Sequence, residues 1–296
     1  EERKKKLEEL AVEAKIHAGV LSFVYGDGKV GDQLAHADID MLCFTGSTKT
    51  GKYLYTVAAE KFIPAVMEMG GSAPGIIFED VDLTGVIDTI YGNRFMGCGQ
   101  MCDGLKRLIV HKSRYDEVIK LLTEKINAKQ IGQAIDPATE LGPLVAERQV
   151  QALEIQVEDA RAKGATILTG GKRPTGFDGA YYEPTLLTGV TKDMKVWTEE
   201  VFGPVLPVVS FGTVQEAIEL ANDTKYGLGA FVFTTDKELM SRVSAQLQSG
   251  MVSQNNLSYI KPYDPFGGYK QSGLGREHGK YGFEDVTQVK VIAQEK

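Results

Sequence analysis

An α/β fold is predicted by three features of the 296-residue sequence. Short apolar runs alternate with helical periodicities, the first two junctions between them are rich in glycine, and no repeat or low-complexity tract interrupts the alternation. Residues 1 to 15 set Leu7, Leu10, Ala11 and Ala14 at helical spacing on a charged background, which predicts an amphipathic surface helix. The run AGVLSFVYG then reads as a buried strand. It leads into Gly26-Asp27-Gly28-Lys29-Val30-Gly31, a G-x-G-x-x-G that opens the helix DQLAHA. The acidic residue that such a motif needs about 20 positions on is missing at a strand end, because the next strand, MLCF, arrives too early. That strand runs into Phe44-Thr45-Gly46-Ser47-Thr48-Lys49-Thr50-Gly51, the better phosphate cradle. Free N–H groups at a helix start sit beside the Ser47 and Thr48 hydroxyls, and Gly46 permits close approach. Two successive strand–turn–helix units make half of a Rossmann-like dinucleotide-binding sheet.

The alternation continues downstream. An apolar segment ends in a carboxylate, Val66-Met67-Glu68-Met69, and a double glycine follows at once. Glu68 is expected at a cleft mouth, where partial desolvation raises its pKa toward the range of a general base; a helix-end acid without a role is the alternative. A helical pattern from about residue 82 leads to GCGQMCDG, after which RLIVH begins a strand. Helices RYDEVIKLLTEKI and RQVQALEIQVEDARAKGA, strand ATILTGG, strand EEVFGPVLPVVSF and helices TVQEAIELAND and DKELMSRVSAQL complete the series. The stretch GGKRPTGFDGAYYEPTLL reads as a surface excursion.

Composition narrows the chemistry. A net charge of −7 argues against nucleic acid or an anionic membrane as the main partner, since both demand clustered Lys and Arg. No apolar run approaches bilayer length and the N-terminal EERKKKLEEL has no signal-peptide core, so the expected location is cytoplasmic and the expected substrate small. Three cysteines do not make a disulfide framework. The histidines (His17, His36, His111 and His278) are scattered, and neither a C-x-x-C pair nor H-E-x-x-H is present, so no metal site is expected. Cys98 and Cys102, taken alone, remain open between a nucleophile and two small residues packed at the start of a helix.

Several separated motifs together resolve this. FTGSTKTG, EMGGSAP, GQMC, EPTLL, EEVFGPVLPV, NDTKYGLGAFVFT and PFGGYKQSGLGRE occur in this order over roughly residues 18 to 296, and in that order they resemble the downstream part of the aldehyde dehydrogenase superfamily. The resemblance implies that Cys102 is the nucleophile, its sulfur made reactive by a lowered pKa, and that Glu68 activates water to hydrolyse the thioester formed on it. It implies that Gly46 and Ser47 receive the pyrophosphate of NAD or NADP, while Glu200 holds the nicotinamide ribose and Phe202 packs the ring. Cys98 is then a bystander at the site wall and Cys43 a core residue. The implied activity is NAD(P)-dependent oxidation of a small aldehyde to its carboxylic acid. EMGGSAP and MCDGLKR look closest to branches acting on semialdehydes and hydroxyaldehydes, such as succinate semialdehyde or lactaldehyde.

The sequence departs from the family pattern at Gly97, where Asn is common, and at Ser72, where Lys or Asn is frequent. The family's N-terminal part, with its first dinucleotide-binding strands and the Asn of the oxyanion hole, is expected to be mostly missing. An alternative reading is therefore an inactive fragment serving as a folded or assembly module. The expected division is a partial cofactor-binding domain (1–69), a catalytic α/β domain of the aldehyde dehydrogenase fold (70–275) and an oligomerisation segment (276–296). In the last, DVTQVKVIAQ alternates like a strand that would pair with a neighbouring subunit in a homo-dimer or homo-tetramer.

Overall fold

Two sheets organise the protein in a computed structural model that describes residues 2–256 and 259–295. The chain opens with α1 (Glu2–Glu13) and α2 (Gly28–His36), the latter capped by the Asp27 carboxylate, which accepts from the Lys29 N–H. Next come β1 (Leu42–Thr45), α3 (Thr48–Lys61) and β2 (Ala65–Glu68). β1 and β2 run parallel in direct register, Thr45 opposite Glu68, as a strand–helix–strand unit requires. Ser47 caps α3 and Phe62 ends it in a left-handed conformation. A small core of Ala35, Leu42, Leu54, Val57, Ala58, Met67 and Met69 fills the space between α2, α3 and this sheet.

The second unit comprises β3 (Ala73–Ile77), α4 (Leu83–Phe95), β4 (Leu105–His111), α5 (Tyr115–Asn127), α6 (Glu147–Ala162), β5 (Thr166–Thr169), β6 (Thr185–Thr188) and α7 (Lys195–Thr198). It continues with β7 (Val205–Phe211), α8 (Val214–Asn222), β8 (Gly229–Phe233), α9 (Lys237–Ser244) and β9 (Met251–Gln254). The sheet order is β5-β6-β7-β4-β3-β8-β9, parallel except for β5 against β6. Its central strands are near-continuous apolar runs because helices cover both faces. β10 (Gly273–Leu274) then returns to the small sheet, pairing antiparallel with β2, and α10 (Gly279–Asp285) follows. This α/β architecture, with its Rossmann-like strand–turn–helix start, is the predicted fold.

Three local expectations fail and one strand was not foreseen. AGVLSFVYG is irregular and open to solvent, with Val20 72% and Val24 60% exposed, and it pairs with no described strand although β1 leaves one edge free. The excursion around residues 170–187 includes β6, laid between β5 and β7, with Tyr181 and Tyr182 buried. Cys43 is exposed, since alternation along β1 turns it to the face opposite Leu42 and the core. β3 was hidden in the sequence by Pro74, which sits where its register with β4 shifts. Among the described residues no helix is long and apolar enough to cross a membrane, and no group of His, Cys, Asp and Glu gathers as for a metal ion.

Candidate active site

Glu68 ends β2 with neighbours on both sides, Thr45 of β1 and Gly273 of β10, and its side chain is only 2% exposed. Neither carboxylate oxygen has a hydrogen-bond partner among the described residues. Burial, reinforced by the Glu277 carboxylate and opposed by Arg276, pushes its pKa up to about 8. The Glu68 carbonyl accepts from the Gly46 N–H (3.0 Å), and the Met69 N–H donates to the Ser272 carbonyl (2.8 Å). The general-base candidate and the phosphate-cradle glycine are thus joined through main chain.

The chain then passes Gly70 and Gly71 into the second sheet. A Cβ on Gly70 would lie 2.0 Å from Glu200 Oε2, so any larger residue there would displace that carboxylate. The Gly71 N–H donates to Glu200 Oε1 (3.1 Å), and so does Lys106 Nζ (2.5 Å). Lys106 also donates to the carbonyls of Gly71 (3.0 Å) and Cys102 (3.1 Å) and stands 5.4 Å from the centre of the Phe202 ring. Cys102, Glu200 and Phe202 therefore meet around one ammonium. Gln149 and Gln156 of α6 hold the same segment, through the Phe202 carbonyl (2.9 Å) and the Glu200 carbonyl (3.1 Å) respectively.

GCGQMCDG is a left-handed turn, not a helix start. Gly97 and Cys98 have φ of 58°, and Gly99, at 71°, packs so closely that a Cβ would meet the Gly203 carbonyl at 2.3 Å. Cys98 is buried with its thiol on the Gly142 carbonyl (3.2 Å), and all three cysteines are free. Cys102 is half-buried beside Asp103, whose Oδ1 lies 3.9 Å from the sulfur. Burial first, then the Asp103 charge, pushes the thiol up to about 11, with Lys106 opposing. The expected lowering of this pKa is overturned: desolvation of a thiolate outweighs one nearby cation.

Two buried arginines brace the site, and sequence reasoning missed them together with Lys106. Arg94 donates to the carbonyls of Val205 (2.9 Å), Val201 (3.1 Å), Leu105 (3.3 Å) and Gly203. Arg107 donates to the carbonyls of Ser72, Leu220 and Ala221 and lies over the Trp197 ring. In the sequence they read as ordinary strand and helix cations; only three-dimensional packing turns them inward. Arg94→Met strands four carbonyls and is expected to cost about 3 to 5 kcal/mol. Thermal unfolding would show it as a midpoint lowered by on the order of 10 °C; a midpoint within about 2 °C of the parent would contradict the bracing role.

The cofactor candidates lie on two sides of Tyr226, whose buried hydroxyl feels the Thr48 side chain and the Glu200 main chain as hydrogen-bonding neighbours. On one side is the first turn of α3, where the Ser47 hydroxyl accepts from the Thr50 N–H (3.3 Å) and the amides of Thr48 and Lys49 have no intrahelical acceptor. On the other is Glu200, with Oε1 doubly engaged and Oε2 accepting from no described donor, next to the half-exposed Phe202. This donor set fits a nucleotide: amides for phosphate, a carboxylate for sugar hydroxyls and an aromatic face for a ring.

The family model for the aldehyde dehydrogenase family matches residues 4–292. Aminoaldehyde dehydrogenase 1, peroxisomal, of Pisum sativum is 43% identical over 294 residues, covering 97% of this chain and 58% of that protein. Betaine aldehyde dehydrogenase of Bacillus subtilis is 40% identical, covering 97% of this chain and 60% of that protein. The NAD+ complex of aldehyde dehydrogenase from Bacillus cereus superposes with a TM-score of 0.92 at 38% identity, covering 95% of this chain and 58% of that one. The chain spans somewhat under two thirds of the length of these relatives. With the motifs in order, the two-sheet fold and these matches, the chain belongs to the aldehyde dehydrogenase family.

Proposed function

We propose that the chain carries the catalytic centre of an NAD(P)-dependent aldehyde dehydrogenase, with Cys102 as nucleophile and Glu68 as general base. The observation that carries the proposal is a buried, unpartnered carboxylate with a pKa near 8, joined through main chain to a glycine turn, on a segment that the Lys106 ammonium ties to the thiol-bearing loop. Burial keeps the Cys102 thiol largely protonated at neutral pH, so its proton passes to water as the sulfur attacks the aldehyde carbon, and Glu68 is kept for the hydrolytic step. The sulfur bonds to the carbonyl carbon to give a hemithioacetal, and loss of hydride leaves a thioester on Cys102. Bound NAD or NADP supplies the hydride acceptor. Glu68 then removes a proton from water as it attacks the thioester, releasing the carboxylic acid and the thiol.

Gly46, Ser47 and the first amides of α3 hold the pyrophosphate in this reading, Glu200 the nicotinamide ribose and Phe202 the ring. Solved relatives with NAD+ support the cofactor class, and a relative of Schizosaccharomyces pombe named for NADP(+) keeps both forms in the proposal. Relatives named for aminoaldehydes, betaine aldehyde and succinate semialdehyde support a small polar aldehyde as substrate. Residues 1–69, 70–275 and 276–296 remain the proposed division, and a cytoplasmic homo-dimer or homo-tetramer the proposed state. Val289 and Val291 are 98% and 88% exposed in a segment that pairs with no described strand of this chain, as a strand awaiting a neighbouring subunit would be.

The test is absorbance of reduced nicotinamide with NAD or NADP and a panel of aminoaldehydes, semialdehydes and hydroxyaldehydes. Turnover supports the enzyme reading. Absence of both turnover and cofactor binding would favour the folded or assembly module.

A further inference from the structure

We propose that Lys106 is the positioning residue of this site: its single ammonium ties the main chain of the nucleophile to the carboxylate that receives the nicotinamide ribose. The proposal rests on the roles given above to Cys102 and Glu200. Lys106 lies on β4 with a side chain that is 0% exposed. An ammonium has three N–H donors, and here three acceptors surround it: Glu200 Oε1 at 2.5 Å, the Gly71 carbonyl at 3.0 Å and the Cys102 carbonyl at 3.1 Å. Each acceptor belongs to a different part of the site. Gly71 follows the segment that leaves Glu68, Cys102 bears the thiol, and Glu200 begins the loop that carries Phe202.

Energetics argue that this lysine serves geometry. Burying an ammonium costs several kcal/mol before pairing, and an apolar side chain of similar volume often replaces a buried ion pair without loss of stability. What an apolar residue lacks is directionality. The ammonium commits Glu200 Oε1, together with the Gly71 N–H, and leaves Oε2 for sugar hydroxyls. It also places a positive charge beside the thiol, against the effects of burial and Asp103. The titratable groups around Cys102 are Asp103, Lys106, Glu200 and Tyr259, and Arg94 acts on Lys106 from the opposite element.

The test is the rate of Cys102 alkylation by iodoacetamide as a function of pH, read on the Cys102 peptide by mass spectrometry. Exposed Cys43 serves as the internal standard. In Lys106→Met the Cys102 profile is expected to move to higher pH, slowing alkylation near pH 9 by about tenfold for each unit of upward shift, with Cys43 unchanged. Lys106→Met/Glu200→Gln leaves no lone carboxylate buried and so guards against a single variant that does not fold. Its profile is expected to move in the same direction, because Lys106 acts on the thiol more strongly than Glu200 does. A folded variant of either kind with the parental Cys102 profile would overturn the proposal. Alkylation needs neither aldehyde nor cofactor, so a chain without turnover still answers the question.

Discussion

Cys102→Ala is expected to abolish aldehyde-dependent reduction of NAD or NADP while leaving the thermal midpoint close to that of the parent. The side chain is half-buried, and its sulfur's hydrogen-bonding neighbours are both in Asp103, the main chain and the carboxylate at 3.9 Å, so removing it opens little space and strands no strong donor. The chemistry has no substitute: without the sulfur no hemithioacetal forms, and Cys98, turned to the Gly142 carbonyl, does not take its place. A loss of at least about 10³-fold in kcat is the expected outcome. Residual turnover within tenfold of the parent would remove Cys102 from the mechanism.

Glu68→Gln is expected to act on two observables. In turnover it should permit one equivalent of reduced nicotinamide per chain and then stall, because thioester hydrolysis lacks its base; a parental steady state would exclude Glu68 from that step. Parental deacylation should rise with pH through about 8, where the carboxyl loses its proton. On stability the sign is the reverse. The folded pKa of about 8 lies above the ordinary value of 4.5, so the folded state binds a proton that the unfolded state releases. The stabilisation is fully present below about pH 4.5 and is lost as pH rises through about 8. For a carboxylate only 2% exposed the loss is on the order of 5 kcal/mol. Glu68→Gln lacks that loss, so its thermal midpoint should gain on the parent's between about pH 5 and about pH 9. Parallel midpoints across that range would mean that Glu68 is not buried as an unpartnered acid.

Stretches with strong local signals were legible as structure. Asp27, Ser47, Asp82, Thr213 and Asp236 cap helices that periodicity marks, and Leu105–His111 is a central strand whose apolar run announces burial on both faces. Where the local signal and its partner part company, the reading fails. AGVLSFVYG has strand composition but pairs with no described strand, and Ala73–Ile77 has a partner on each side but hides behind Pro74.

The sequence by itself determined the family, the α/β alternation and a short set of candidates: Cys102, Glu68, Gly46, Ser47, Glu200 and Phe202. These are written in contiguous motifs, and a motif carries its chemistry in residue type and spacing. Tertiary structure alone decided the environment of each candidate. It raised the pKa of Cys102 instead of lowering it, left both Glu68 oxygens unpartnered, and drew Arg94, Lys106 and Arg107 inward to brace loops far apart in the chain. Desolvation and hydrogen bonding depend on which segments meet, and only packing supplies that information.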